Sequence, residues 1–113
     1  MKNTTKFISY DKENDIFFIH KGFSSDEKFK GNIDAGQLIL DISTKGRVRG
    51  IEIMKATNFL KLFDITENML ENLSGAEFSA HIEPNCAVIS LILKSKNSNK
   101  EMPAKIAVPL NIN

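Results

Sequence analysis

Apolar residues recur at every second position through most of this chain, and the places where that period fails mark its turns. Lys6 to Tyr10 reads as a short strand, followed by the polar turn Asp11-Lys12-Glu13-Asn14-Asp15. Ile16 to Lys21 is a second strand with large apolar groups on both faces, so neither face should be fully wet. Residues 22–36 are less regular and read as a loop with some extended structure. Gln37 to Ile42 resumes the alternation, with Leu38, Leu40 and Ile42 on one side. Ser43 to Gly46 closes a hairpin, glycine supplying a left-handed residue after a type I turn. In the returning arm, Arg47 to Met54, Val48 and Ile51 lie three apart and Ile53 follows. A regular strand would turn Val48 away from both isoleucines; one extra residue near Gly50, a β-bulge, puts all three on one face.

The period changes over residues 55–75. Thr57 is placed to cap a short helix carrying Phe59, Leu60 and Phe63, and Asp64 with Glu67 resembles a capping box. Ile65, Met69 and Leu73 then form one stripe, and Gly75 is a stop signal. Alternation returns at Glu77 to Glu83, with Phe78, Ala80 and Ile82 inward and Ser79 and His81 outward. Cys86 to Lys94 is a strongly apolar strand, Ser95 to Glu101 a polar loop, and Ala104 to Ile112 a last strand. Pro109 lacks a ladder donor, which places that last strand at an edge. The fold predicted is α+β: a mainly antiparallel β meander of about seven strands, with one short helical segment between strands four and five, in a single domain over residues 1–113.

Composition narrows the function more than it names it. With 42% hydrophobic and 26% charged residues the chain is of the soluble globular kind, and a formal charge of +1 gives no pull toward nucleic acid or membrane. A single cysteine, Cys86, excludes an internal disulfide and fits the cytoplasm. No apolar run reaches the ~20 residues that span a bilayer, and the N-terminus lacks the apolar core of a signal peptide.

The candidate chemistry is sparse. Asp11 to Asp15 opens like a calcium loop, but Ile16 stands where that loop needs glycine and Gly22 where it needs a bidentate glutamate. His20, His81 and Cys86 do not share metal-site spacing, and Cys86 at the head of an apolar strand is a poor nucleophile. No cofactor, metal or catalytic residue is therefore assigned. Asp41 and Glu52, with a histidine, could line a small-molecule or hydrolytic pocket; Arg47 and Arg49, with Lys28 and Lys30 around Phe29, could touch nucleic acid, although Asp26, Glu27 and Glu52 offset their charge. Phe17, Phe18, Ile19 and Val88 exceed what one helix layer covers, which points to self-association unless the C-terminal strands fold over them.

The segments Tyr10-Asp11-Lys12-Glu13-Asn14-Asp15-Ile16-Phe17-Phe18-Ile19, Leu38-Ile39-Leu40-Asp41 and Gly46-Arg47-Val48-Arg49-Gly50-Ile51-Glu52-Ile53-Met54-Lys55-Ala56 together resemble the domain of unknown function 2283 family of small prokaryotic proteins, over about residues 8–60. The family pattern resembles YDxExDxLYI followed by VxLDxDxxGxIxGIEIL; here Ser43 replaces a usual acidic residue and the loop from Phe23 to Gly36 is atypical. The resemblance implies no activity, cofactor or catalytic residue. It implies architectural roles for Tyr10, Asp11, Asp15, Asp41, Gly46, Gly50 and Glu52, as turn formers, a bulge and strand ends. The leading expectation is a non-enzymatic interaction module that forms a homodimer and acts on a protein partner. Small-molecule binding or hydrolysis near Asp41 and Glu52 is the alternative, and weak nucleic-acid binding a further one.

Overall fold

Two antiparallel sheets share one hydrophobic core in the structure, a computed structural model that describes residues 7–96 and 100–110. The first sheet has five strands: β1 (Phe7–Asp11), β2 (Ile16–His20), β3 (Phe29–Ala35), β4 (Leu38–Ser43) and β5 (Val48–Met54), in the order β1-β2-β5-β4-β3. The second is a three-stranded meander of β6 (Leu73–Ile82), β7 (Cys86–Ser95) and β8 (Glu101–Pro109). Between them lie two short helices, α1 (Ala56–Leu60) and α2 (Glu67–Glu71), joined by a 3-10 turn at Lys61–Phe63.

The alternating pattern does what it predicts. Phe17, Ile19, Leu38, Leu40, Ile51 and Ile53 line the inner face of the first sheet, and Phe78, Ala87, Ile89, Leu91, Leu93 and Ile106 that of the second. Burying a side chain of this size is worth roughly 1.5–3 kcal/mol, so these two rows are the main reason the sheets face each other. Leu60, Ile65 and Leu70 of the helical segment join the same core.

The bulge in the returning hairpin arm is present. Asp41 pairs with Gly50 and Ile42 with Val48, which leaves Arg49 as the extra residue, and Val48, Ile51 and Ile53 are all buried. Gly46 closes this hairpin at φ 76, its N–H donating to the Ser43 carbonyl at 2.8 Å.

Five expectations need correction. Among the described residues the strands number eight in two sheets where about seven in one meander were expected, and the helical segment lies between the fifth and sixth. The uncounted strand is β3: its sequence FKGNIDA buries only Ala35, as an edge strand does, so it carries little apolar signal. Thr57 is not a cap; Lys55, at φ 50, precedes α1, and Asp15 takes the hydrogen bonds of Thr57. Asp64 is left-handed at the end of the 3-10 turn, and the capping box is formed instead by Thr66 and Met69. Gly75 does not stop a helix but lies within β6 beside a register shift, where an absent side chain lets the strand bend. Lys6 and Ile112, at the expected strand ends, lie outside the described residues.

Candidate functional site

The outer face of the five-stranded sheet brings His20, Asp41 and Glu52 to one side. His20 sits opposite Gly50, Gly50 opposite Asp41, and Glu52 opposite both Phe18 and Ile39. Gly50 has no side chain, and the His20 imidazole fills that space: a Cβ at position 50 would stand 2.3 Å from His20 Cδ2 and 2.9 Å from Asp41 Oδ2. The glycine is therefore required by close approach and not by its backbone conformation, since its φ is not positive.

His20 is only 8% exposed. Its Nδ1 accepts the Gly22 N–H at 2.7 Å, which sets the neutral tautomer with the proton on Nε2. Nε2 lies 3.6 Å from Asp41 Oδ2, an electrostatic approach rather than a hydrogen bond. Asp41 accepts a hydrogen bond from the Asn32 side-chain amide through its other oxygen. Burial pulls the His20 pKa below its ordinary value; Asp41 opposes that and Arg49 adds to it. The imidazole therefore cannot take up a proton at Nδ1 without breaking the bond to Gly22.

Aromatic rings surround this histidine. Ring centroids of Phe23, Phe18 and Phe7 lie 5.1, 5.8 and 6.5 Å from that of His20, and Phe29 lies 6.3 Å beyond Phe23. Phe7, Phe23 and Phe29 remain 59, 37 and 52% exposed. Carboxylates occupy other positions of the same face: Asp11, Asp34, Asp41 and Glu52, with Asp11 and Asp34 toward the end away from His20.

Arg47 and Arg49 belong to a different assembly. Glu27, in the loop from β2 to β3, has a fully buried side chain and accepts the Ser24 N–H at 2.9 Å. Arg49 Nε lies 3.2 Å from Glu27 Oε2 and donates to the Gly22 carbonyl at 2.7 Å; Arg47 lies 3.4 Å from Glu27 and 3.6 Å from Asp26. Burial alone would raise the Glu27 pKa, but the Ser24 amide, the Ser43 hydroxyl and Arg49 outweigh it and hold it at about 2. The loop is thereby tied to the bulged strand.

At the seam of the two sheets lies a cleft of 490 Å³, lined by Lys21, Arg47, Val48 and Arg49 on one side and by residues 79–82 of β6 on the other. The Lys21 ammonium lies 4.4 Å from the Phe78 ring centroid, a cation–π contact.

Sequence reading singled out Asp41 and Glu52, and they do share a face; it also named Arg47 and Arg49, which meet at Glu27. It missed the pairing of His20 with Asp41, the burial of Glu27 and the place of Lys21. A glycine in a strand signals close approach of another group as well as a bulge, so Gly50 carried a clue to His20. His81 is largely exposed on β6 beside Glu83, and Cys86 starts β7. Among the described residues, no three histidine, cysteine or carboxylate side chains group as a metal site. No described helix is long and apolar enough to cross a membrane.

Comparisons with known proteins fit this picture. The model of a protein family of unknown function, DUF2283, matches residues 8–56, which include the His20–Gly50–Asp41 arrangement and the bulged hairpin. A Methanosarcina mazei protein, named provisionally as a hypoxanthine phosphoribosyltransferase, is 33% identical over 96% of this chain and 82% of its own length. An uncharacterised Methanocaldococcus jannaschii protein is 30% identical over 84% of this chain and 78% of its own. No solved structure matches the chain significantly. The likeness to these relatives runs through both sheets and the family model covers the bulged one; the chain belongs to the DUF2283 family.

Proposed function

We propose that this protein is a non-enzymatic interaction module that pairs with a second copy through the aromatic end of its five-stranded sheet. The observation that carries this reading is the exposure of Phe7, Phe23 and Phe29 around a buried His20. Contiguous aromatic surface of this kind gains by being covered. A two-fold axis through the aromatic end brings the phenylalanines of both copies together. It also sends Asp11 and Asp34 of each copy to opposite ends, so like charges stay apart. A net charge of +1 adds little repulsion between copies. The free thiol of Cys86 suits a cytoplasmic setting. Light scattering after size exclusion at about 50 µM should give twice the 12.7 kDa chain mass. The double variant Phe7→Ser/Phe29→Ser should give the chain mass with an unchanged far-ultraviolet spectrum. A wild-type protein that stays monomeric at that concentration overturns the proposal.

Small-molecule binding at Asp41 and Glu52 is the second reading, supported by their common face with His20. Hydrolysis is the weaker form of it, because His20 has its Nδ1 lone pair engaged by Gly22. Phosphoribosyl transfer does not come across with the relative's name. The paired strands here are all antiparallel, whereas a pyrophosphate is usually cradled where a parallel strand meets a glycine loop and a helix. Nucleic-acid binding is the least supported, since Arg47 and Arg49 offset Glu27 and Asp26.

A further inference from the structure

The structure points to a second site, in the cleft between the sheets: we propose that it binds a small organic anion, its oxyanion head between Lys21 and Arg49 and its apolar body along Val48, Ala80 and Ile82. The volume of 490 Å³ lies inside the range of roughly 300–1,000 Å³ usual for small-molecule pockets. Three cationic side chains, Lys21, Arg47 and Arg49, contribute to its lining, and no aspartate or glutamate does. Glu27 and Asp26 pair with Arg47 and Arg49 but do not line the cleft.

The arrangement is held in place before any ligand arrives. Arg49 is fixed through Nε to Gly22 and Glu27, so its planar guanidinium is oriented by groups outside the cleft. Arg49 is 18% exposed and Lys21 is packed against Phe78, so both charges lie in a partly desolvated setting, where an ion pair is stronger than in open water. Burial and the nearby Arg49 both press the Lys21 pKa down; a bound anion reverses the second effect. Ala80 and Ile82 opposite the cations, with Val48 beside them, supply an apolar wall. A bare inorganic anion would leave that wall uncovered, which is why the ligand is assigned as organic.

The test uses the full chain, isotope-labelled, with three probes: phenyl phosphate, inorganic phosphate and the neutral benzyl alcohol. Phenyl phosphate should shift the amide resonances of residues 46–49 and 79–82 with saturation at or below ~1 mM. Inorganic phosphate should shift them more weakly, and benzyl alcohol not at all. Benzoate in place of phenyl phosphate separates a carboxylate from a phosphate preference. Lys21→Met keeps the apolar stem over Phe78 and should weaken phenyl phosphate at least tenfold with the spectrum otherwise preserved; Lys21→Arg should restore it. Absence of saturable shifts with either organic anion, shifts confined to other residues, equal binding of inorganic phosphate, or no effect of Lys21→Met would each overturn the assignment.

Discussion

Across the backbone of Gly50, the Nε2 atom of His20 stands 3.6 Å from the Oδ2 atom of Asp41. Three strands meet in this relationship, since His20 lies on β2, Gly50 on β5 and Asp41 on β4. Gly50→Ala should therefore destabilise the fold by ~1–3 kcal/mol, the range for overpacking. The imidazole has little room to retreat because Gly22 holds its Nδ1. Urea denaturation of Gly50→Ala, His20→Ala and the double variant measures the coupling. The two changes should be less than additive by about 1 kcal/mol or more, and strict additivity would refute the close approach.

His20 also sets a pH dependence. Its folded pKa is lowered by burial, with Arg49 adding and Asp41 opposing. The unfolded chain takes up this proton near pH ~6.5, while the folded chain stays neutral to lower pH. The contribution to stability is thus fully present above ~6.5 and is lost as pH falls from there through the folded value. Urea midpoints measured between pH 7.5 and 5 should decline, and His20→Gln should flatten that decline. An equal slope in the variant would rule out His20 as its source.

Glu27 is the electrostatic anchor of the loop between β2 and β3. Glu27→Gln removes the charge that faces Arg49 in a buried setting, at a cost of about 3 kcal/mol, while the half-exposed Arg47 adds little. Because its carboxyl is held at about 2, the wild-type contribution is lost only as pH falls from 4.5 toward 2. Denaturant titration of Glu27→Gln at neutral pH checks the magnitude. A loss under about 1 kcal/mol would mean the pair is solvated.

Asp15 joins the first hairpin to the helical segment. Its carboxylate accepts the Tyr10 hydroxyl at 2.7 Å, the Thr57 N–H at 3.0 Å and the Thr57 hydroxyl at 2.6 Å, while its carbonyl accepts the Ala56 N–H at 2.9 Å. Asp15 also sits at φ 55, a conformation that aspartate and asparagine tolerate better than alanine. Asp15→Ala should cost ~2 kcal/mol or more and Asp15→Asn clearly less. Burial first, and then the hydrogen bond to Asp15 and its charge, hold the Tyr10 phenol well above its usual pKa, so the tyrosine absorbance of Asp15→Ala should titrate at lower pH than wild type.

The alternating segments were legible because a period of two is a local property, and so was the bulge at Gly50, which three apolar residues on one strand reveal. The edge strand β3 was not, since one face of it meets solvent and it needs few apolar residues. Asp41 and Glu52 were readable as polar residues among isoleucines. The partner of Asp41 was not, because His20 lies 21 positions earlier and reaches it only through the pairing of β2 with β5. The Thr57 cap failed for the same reason: Asp15 takes its hydrogen bonds from 42 positions away.

By itself the sequence determined which residues of the alternating segments turn inward, where the hairpin at Ser43–Gly46 closes and where its returning arm must bulge, because those depend on side-chain period and on the left-handed turn that Gly46 supplies. Tertiary structure alone decided that the strands divide into two sheets, that β2 lies beside β5, and that His20, Glu27 and Lys21 acquire partners. Such choices rest on long-range register and on desolvation, which have no local imprint in the chain.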